Sequence, residues 1–345
     1  MNSEREEVSA SQLEAAALPV SGASEPRQAL KLVCPACRGA LAWGDATLRC
    51  GHCQVDYHHQ DGMWQMRLGR MGAPGYDPHH FDTLAEVEGR HFWFVARREL
   101  ILEAMRRSVP DLGTRPMFDV GCGSGGLAAF LAAGGVRLSG ACDAYPEALW
   151  IASRRLEVPV LLVDEGRLPP LGSGQPMIGL FDVLEHIDDD AGTLAWVAEA
   201  LEPGGYLVLT VPAHPCLYND LDRSARHRRR YRRRELAVKL AAAGLRVRLL
   251  THFMAPLALP ILLVSWSEAA RRRLGRPPLA SPVGARLRVR PFPDFALGLV
   301  LSLERRLLRL GSLPFGSSLM AVAERPVDRA LDPGPMPSAR RRDRS

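Results

Sequence analysis

Three groups of residues in this chain have the types and spacing to do chemistry. The first is Phe118-Asp119-Val120-Gly121-Cys122-Gly123-Ser124-Gly125-Gly126, which delivers one acid into a glycine-rich turn. Glycines there let a ligand approach the backbone, because no Cβ intervenes and positive φ costs little. The second group is Cys34-Pro-Ala-Cys37 and Cys50-Gly-His-Cys53, two C-x2-C pairs separated by twelve residues. Four thiolates on two facing turns form a closed tetrahedral set for a structural Zn²⁺. Four sulfurs leave no open position, so no chemistry is expected at this metal, and His52 and His58 read as surface residues. Gly39 and Gly51 fall where the knuckle turns call for open backbone. The third group is Asp182-Val-Leu-Glu185-His186, a polar turn after an apolar run, together with His214 further on.

The acid of the first group indicates its ligand. Gly121-x-Gly123-x-x-Gly126 also fits the dinucleotide fingerprint, in which a pyrophosphate rests on the helix N-terminus. A carboxylate two residues before the first glycine would repel that pyrophosphate. It would favour a ligand with an ammonium and a sulfonium, and S-adenosylmethionine (SAM) is one. Asp143 lies 20 residues after Gly123, a spacing suited to a carboxylate that accepts ribose hydroxyls. Asp164 ends the next apolar run and is placed for an adenine amino group. Asp119, Gly121, Cys122, Gly123, Asp143, Asp164 and Asp182 are thus the cofactor candidates. Methyl transfer from a sulfonium is an in-line displacement that depends mainly on positioning, with a base required only where a proton must leave early. His186 is the first candidate for that base, with Glu185 beside it and His214 a weaker one. A histidine hydrogen-bonded within its own loop accounts for His186 equally well.

These residues need a scaffold that brings strand ends together. Apolar runs Pro116–Phe118, Val136–Asp143, Val158–Asp164 and Met177–Phe181 read as strands, and Leu127–Ala133 as a helix. Strand and helix patterns alternate over residues 115–252, which implies an α/β fold with a parallel sheet. Ligands bind such sheets outside the carboxyl ends of the strands, where each acid lies. A last strand is expected over residues 315–324.

With Asp119-Val-Gly-Cys-Gly-Ser-Gly, Asp182-Val-Leu-Glu-His-Ile-Asp-Asp-Asp190 and Leu201-Glu-Pro-Gly-Gly-Tyr-Leu-Val-Leu-Thr-Val-Pro212 in this order, residues 80–325 resemble the class I SAM-dependent methyltransferases. The subgroup that includes the ubiquinone-pathway O-methyltransferases is the nearest in pattern. The resemblance implies a Rossmann-like, seven-stranded, mostly parallel sheet with flanking helices, preceded here by the small zinc ribbon. It further implies that Arg97 reaches the methionine carboxylate and that Trp93 packs over the cofactor pocket. An amphipathic helix with its arginines in solvent is the competing reading of that segment. Asp222, His227, Arg229, Arg230 and Tyr231 match a pattern that forms part of an acceptor site. Gln175-Pro176 departs from the family, which usually has an Asp at the start of the fourth strand. The ribbon resembles that of a bacterial 23S rRNA guanine-N1 methyltransferase and the small zinc-ribbon activators of RNA-modifying methyltransferases.

Bulk properties set further bounds. The chain has 345 residues and a formal net charge of +6, enough for one α/β domain with additions. Lysine occurs only at Lys31 and Lys239, so the arginine excess is partly what a GC-rich coding sequence yields. Residues 1–30 carry no signal-peptide core and read as disordered. Residues 31–68 form the ribbon, residues 80–325 the main domain, and residues 326–345 a disordered tail. Seven cysteines, four of them clustered, fit a reducing, cytoplasmic compartment. Eight arginines crowd Asp222–Glu235, suiting phosphates of RNA or a lipid head group or simply a solvated helix start. Residues 253–310, an apolar and basic insertion before the last strand, include Phe253–Trp266, which is too short and too broken by Pro256 and Pro260 to span a bilayer. Peripheral contact with the inner face of a membrane and a small-molecule or lipid-linked acceptor follow as expectations. The ribbon and arginines favour an RNA acceptor instead, although no N/D-P-P-Y/F motif follows the fourth strand. A zinc-ribbon binding protein without transfer activity is the non-enzymatic alternative, against which the intact Asp119 turn and Asp143 argue.

Overall fold

The computed structural model describes residues 30–69, 79–167, 169–276 and 291–327. Apart from Leu30, Pro326 and Val327, the terminal segments expected to be disordered lie outside these residues.

The ribbon contributes β1 (Leu41–Trp43), β2 (Thr47–Cys50), β3 (Asp56–Gln60) and β4 (Met63–Gln65). Two helices follow, α1 (His79–Val87) and α2 (Phe92–Ser108). The main sheet then alternates with its helices: β5 (Met117–Val120), α3 (Gly126–Ala133), β6 (Leu138–Asp143), α4 (Pro146–Ala152), β7 (Val160–Leu162), β8 (Gln175–Phe181), α5 (Asp190–Ala200) and β9 (Leu201–Pro212). The chain continues through α6 (Asp220–Ser224), α7 (Arg233–Ala242), β10 (Arg246–Phe253), α8 (Ala255–Arg273), α9 (Pro291–Leu310) and β11 (Ser318–Glu324).

The central strands are ordered β7-β6-β5-β8-β9-β11-β10. Pairing is parallel from β7 to β9, and β11 runs antiparallel to both its neighbours. Strands β5 and β7 are buried at every position, so they read as unbroken apolar runs, as strands covered on both faces do. The order reverses between β5 and β8, which opens a crevice at their carboxyl ends. The seven expected strands are therefore present, in the mostly parallel arrangement expected of them.

The ribbon continues this sheet. Strand β4 pairs in parallel with β7, Trp64 opposite Leu161 and Gln65 opposite Leu162, giving eleven strands in all. Leu32, Leu48, Tyr57 and Trp64 share one apolar cluster with Phe118, Leu161 and Ile178. Gln175, the family departure, is fully buried, and its amide donates to the carbonyls of Lys31 (2.8 Å) and Gly172 (3.2 Å). The unusual residue thus ties the start of the ribbon to the start of β8.

The described residues of 253–310 include α8 and α9. Pro256 and Pro260 do not break α8. Pro256 lies in the first turn, where the N–H groups lack intrahelical partners in any helix and proline costs least; Pro260 lies inside the helix, which nevertheless continues to Arg273. Helix α9 packs on α2, with Leu301 and Leu308 buried beside Met105, and Arg305–Glu99 (2.6 Å) and Arg309–Glu103 (2.9 Å) pair across the seam. The last strand starts at Ser318, three residues later than the sequence suggests; just before it, a Cβ on Gly316 would lie 2.3 Å from the Phe253 carbonyl oxygen.

Candidate active site

At the end of β5, Asp119 is buried, and its Oδ1 has no hydrogen-bond partner among the described residues. Burial pushes its pKa up to about 7, with Arg97 opposing and the Asp143 charge adding to the rise. A buried carboxylate oxygen without a partner is costly and uncommon. An ammonium would satisfy it. The glycine turn leaves room for one: a Cβ at Gly123 would meet nothing within 4 Å, whereas at Gly121 (φ +74°) it would strike Val183 Cγ2 at 2.5 Å. The turn is open exactly where a ligand would lie and packed where the fold needs contact.

Asp143 ends β6. One carboxylate oxygen accepts the Gly123 N–H (2.8 Å) and the other the Tyr145 N–H (3.0 Å). Burial raises its pKa, and those N–H groups partly offset the rise. Each oxygen keeps a second lone pair, so the two together suit a pair of vicinal hydroxyls. Cys122 sits half-buried beside them, its thiol pKa raised well above the usual value by burial. Asp164, after β7, accepts the N–H groups of Leu68 (2.9 Å) and Gly69 (3.2 Å). The residues leaving the ribbon thus hold this third acid in place.

Arg97 and Asp182 meet. Arg97 Nη2 lies 2.7 Å from Asp182 Oδ2 and donates to Thr210 Oγ1 (3.1 Å), and that hydroxyl donates to Asp182 Oδ1 (2.9 Å). Arg97 is buried, unlike an arginine on a solvated helix face, and its guanidinium stands over Trp93 at 5.4 Å from the ring centroid. Its charge is matched by Asp182, while its Nε has no hydrogen-bond partner among the described residues. Asp182 takes φ +58°, a left-handed conformation that Asp tolerates better than most residues.

In the turn after β8, Glu185 is fully buried, and neither carboxylate oxygen has a hydrogen bond from a described residue. Burial and then the Asp182 charge hold its pKa well above the carboxylate range. His186 is lowered to about 4 by burial and by His227, whose ring stands edge-on to it at 4.9 Å. His227 is positioned by the arginine-rich segment. Its Nδ1 is 2.8 Å from Asp222 Oδ1, and Asp222 is gripped by Arg230 (2.9 and 3.0 Å) and by the Asn219 N–H (2.9 Å). Burial raises the Asp222 pKa, but these partners outweigh it and the net shift is downward. Backbone bonds from Arg228 N to Glu185 O (2.7 Å) and from Tyr231 N to Pro212 O (2.9 Å) fasten the segment over the turn. Tyr231 itself is fully buried, donating to Asp190 Oδ2 (2.8 Å). His214 stacks on His252 at 5.0 Å, away from the Glu185 cluster, and its pKa is lowered by burial.

In the ribbon, Cys34, Cys37, Cys50 and Cys53 bring their sulfurs within 4.8 Å of one another, and this set could hold a zinc ion. A Cβ at Gly39 would lie 3.3 Å from two of those sulfurs and 2.9 Å from His52 Cβ. Gly51 meets no such constraint, and the left-handed turn positions are taken by Arg38 and Gln54.

The sequence reading missed Thr210, Asn219, Asp190 and a network on the glycine turn. There Glu88 accepts from Ser124 Oγ (2.8 Å) and pairs with Arg155. Thr210, Asp190 and Glu88 take their roles from distant segments, whereas Asn219 caps α6 locally and its spacing to Asp222 was a readable signal.

Residues 94–250 match the family model of the methyltransferase domain. No curated protein matches the chain in sequence. Among solved structures, the phosphoethanolamine N-methyltransferase 2 of Haemonchus contortus is 15% identical, with 73% of this chain and 58% of that one covered and a TM-score of 0.47. A SAM-dependent methyltransferase from Mesorhizobium loti is 16% identical, covering 64% and 96% respectively, with a TM-score of 0.42.

Proposed function

We propose that this chain transfers a methyl group from SAM to a small-molecule acceptor with an apolar or lipid-linked part. The observation that carries the donor half is the partnerless Asp119 oxygen beside the open Gly123. In this reading Asp119 holds the amino group, Asp143 the ribose hydroxyls, and Asp164 the adenine amino group, its orientation fixed by Leu68 and Gly69. SAM supplies the methyl group on a sulfonium. Asp182, Arg97, Thr210 and Trp93 form the wall between donor and acceptor. Glu185, His186 and His227 face the nucleophile, with Asp222 and Arg230 positioning His227. Tyr231 and Asp190 brace the segment from inside. The ribbon holds a structural zinc and acts with the main domain as one unit.

The apolar acceptor draws support from α8 and α9. Leu259, Leu263 and Trp266 on α8, and Val300, Leu303, Leu307 and Leu310 on α9, are exposed at helical spacing. Helix α8 adjoins the acceptor wall: Ser265 Oγ donates to the Leu217 carbonyl (2.9 Å), and Glu268 accepts the Asp220 N–H (2.7 Å). Among the described residues no helix is long and apolar enough to cross a membrane. The arginine run gives less support to an RNA acceptor, since Arg223, Arg228, Arg229 and Arg230 pair with Asp220, Asp188, Asp190 and Asp222. Incubating the protein with methyl-labelled SAM and a fractionated cell extract tests the assignment. Label should enter the organic phase. Label confined to RNA would refute the acceptor assignment.

A further inference from the structure

The acceptor mouth holds an arrangement that methyl transfer alone does not explain. Glu185 is fully buried and neither of its oxygens is bonded to a described residue. Its Oε1 lies 3.9 Å from His227 Nε2, too far for a hydrogen bond. That spacing suits two ligands of one ion, each about 2.0–2.2 Å from it. His186 adds a third ligand atom, and all three atoms lie within 4.8 Å of one another. The geometry points to a divalent transition-metal site formed by Glu185, His186 and His227.

The surroundings match such a site. An imidazole that binds a metal through one nitrogen is usually held through the other by a carboxylate. His227 Nδ1 has Asp222 at 2.8 Å, and Asp222 is locked by Arg230 and the Asn219 backbone. The Nε2 edge is thereby aimed at Glu185. The elements that make the site are tied together, since the Arg228 N–H bonds the Glu185 carbonyl. Two imidazoles and one carboxylate suit manganese, iron, cobalt, nickel or zinc better than calcium or magnesium, and leave coordination positions open. The set differs from the ribbon, whose four sulfurs leave none.

The role of the site, though not its existence, rests on the methyltransferase reading. An acceptor hydroxyl bound to the ion loses its proton to water more readily, as metal-bound water does. Its oxygen pair then forms the O–CH₃ bond while the C–S bond breaks and leaves its pair on sulfur. SAM and the hydroxyl thus give S-adenosylhomocysteine, the methyl ether and one proton. No side-chain base is needed, and the cluster binds the nucleophile instead.

The test uses the full-length protein loaded with one equivalent of Zn²⁺, which the four thiolates of the ribbon take in preference to a site of two imidazoles and a carboxylate. Mn²⁺ is titrated in and free Mn²⁺ is read by electron paramagnetic resonance, while S-adenosylhomocysteine binding is followed by calorimetry. The wild type should take up one Mn²⁺. Glu185→Gln and His227→Gln should each weaken that uptake by about 100-fold or more, and Asp222→Asn by about 10-fold, with S-adenosylhomocysteine affinity retained. His227 is partly exposed, so its variant serves if Glu185→Gln does not fold. Absence of Mn²⁺ uptake by the wild type, or unaltered uptake by His227→Gln, would overturn the site. Mn²⁺ uptake without S-adenosylhomocysteine binding would leave the site standing and sink the methyltransferase reading.

Discussion

The proposed donor and acceptor halves of the crevice are built differently. The donor half comes from one continuous turn and the ends of three adjacent strands. Its carboxylates are steadied by backbone N–H groups, as in Asp143 with Gly123 and Tyr145. The acceptor half is assembled from side chains about 40 residues apart, and its order comes from buried ion pairs such as Arg230–Asp222 and Arg97–Asp182. Backbone geometry shapes one half and side-chain charge the other. The donor half should therefore fail when the backbone is altered, and the acceptor half when a charge is removed.

Removing the Asp222 charge should have the largest effect. Asp222→Ala leaves Arg230 buried and unpaired, which costs about 3–5 kcal/mol, measurable by urea denaturation. S-adenosylhomocysteine affinity should stay within about threefold, because separate sites respond nearly independently; a collapse of that affinity would erase the distinction between the halves. Gly121→Val should cost somewhat less in stability, about 1–3 kcal/mol from a β-branched residue at φ +74°. Donor binding should nevertheless disappear in calorimetry, since Val183 is displaced into the turn. Cys50→Ser should release the ribbon metal and lower donor affinity severalfold through β4, β7 and Asp164; unaltered affinity would make the ribbon an independent unit. The smallest effect is on the thermal stability of the free protein. The pKa of Asp119 is raised above its unfolded value of about 4 to about 7, so its contribution is full below pH 4 and is lost as pH rises through 7. The melting temperature should fall across that window, and in Asp119→Asn this part of the fall should vanish.

The same difference governs what was legible in the sequence. Asp119, the glycines and Asp143 are spelled out within one turn or one strand, so their places could be read directly. Asp164 was visible as a strand end, but its hold on Leu68 and Gly69 was not, because the parallel pairing of β4 with β7 joins segments nearly 100 residues apart. Glu185 and His186 stood out as neighbours. His227 entered only through resemblance, because nothing local shows that Arg228 anchors it over Glu185. Arg97 was expected at a ligand carboxylate through resemblance alone, and its pairing with Asp182, which depends on how α2 crosses the end of β8, was not visible. Pro256 and Pro260 suggested a break, yet α8 runs through both to Arg273.

The central claim is that the Asp119 carboxylate holds the ammonium group of an adenosyl amino-acid ligand. Calorimetric titration of S-adenosylhomocysteine into the wild type and Asp119→Asn, between pH 5.5 and 8.5, tests it most directly. Wild-type affinity should be steady above about pH 7 and fall by about tenfold per pH unit below it, while the variant binds weakly and without that dependence. Equal affinities with the same pH profile would contradict the claim.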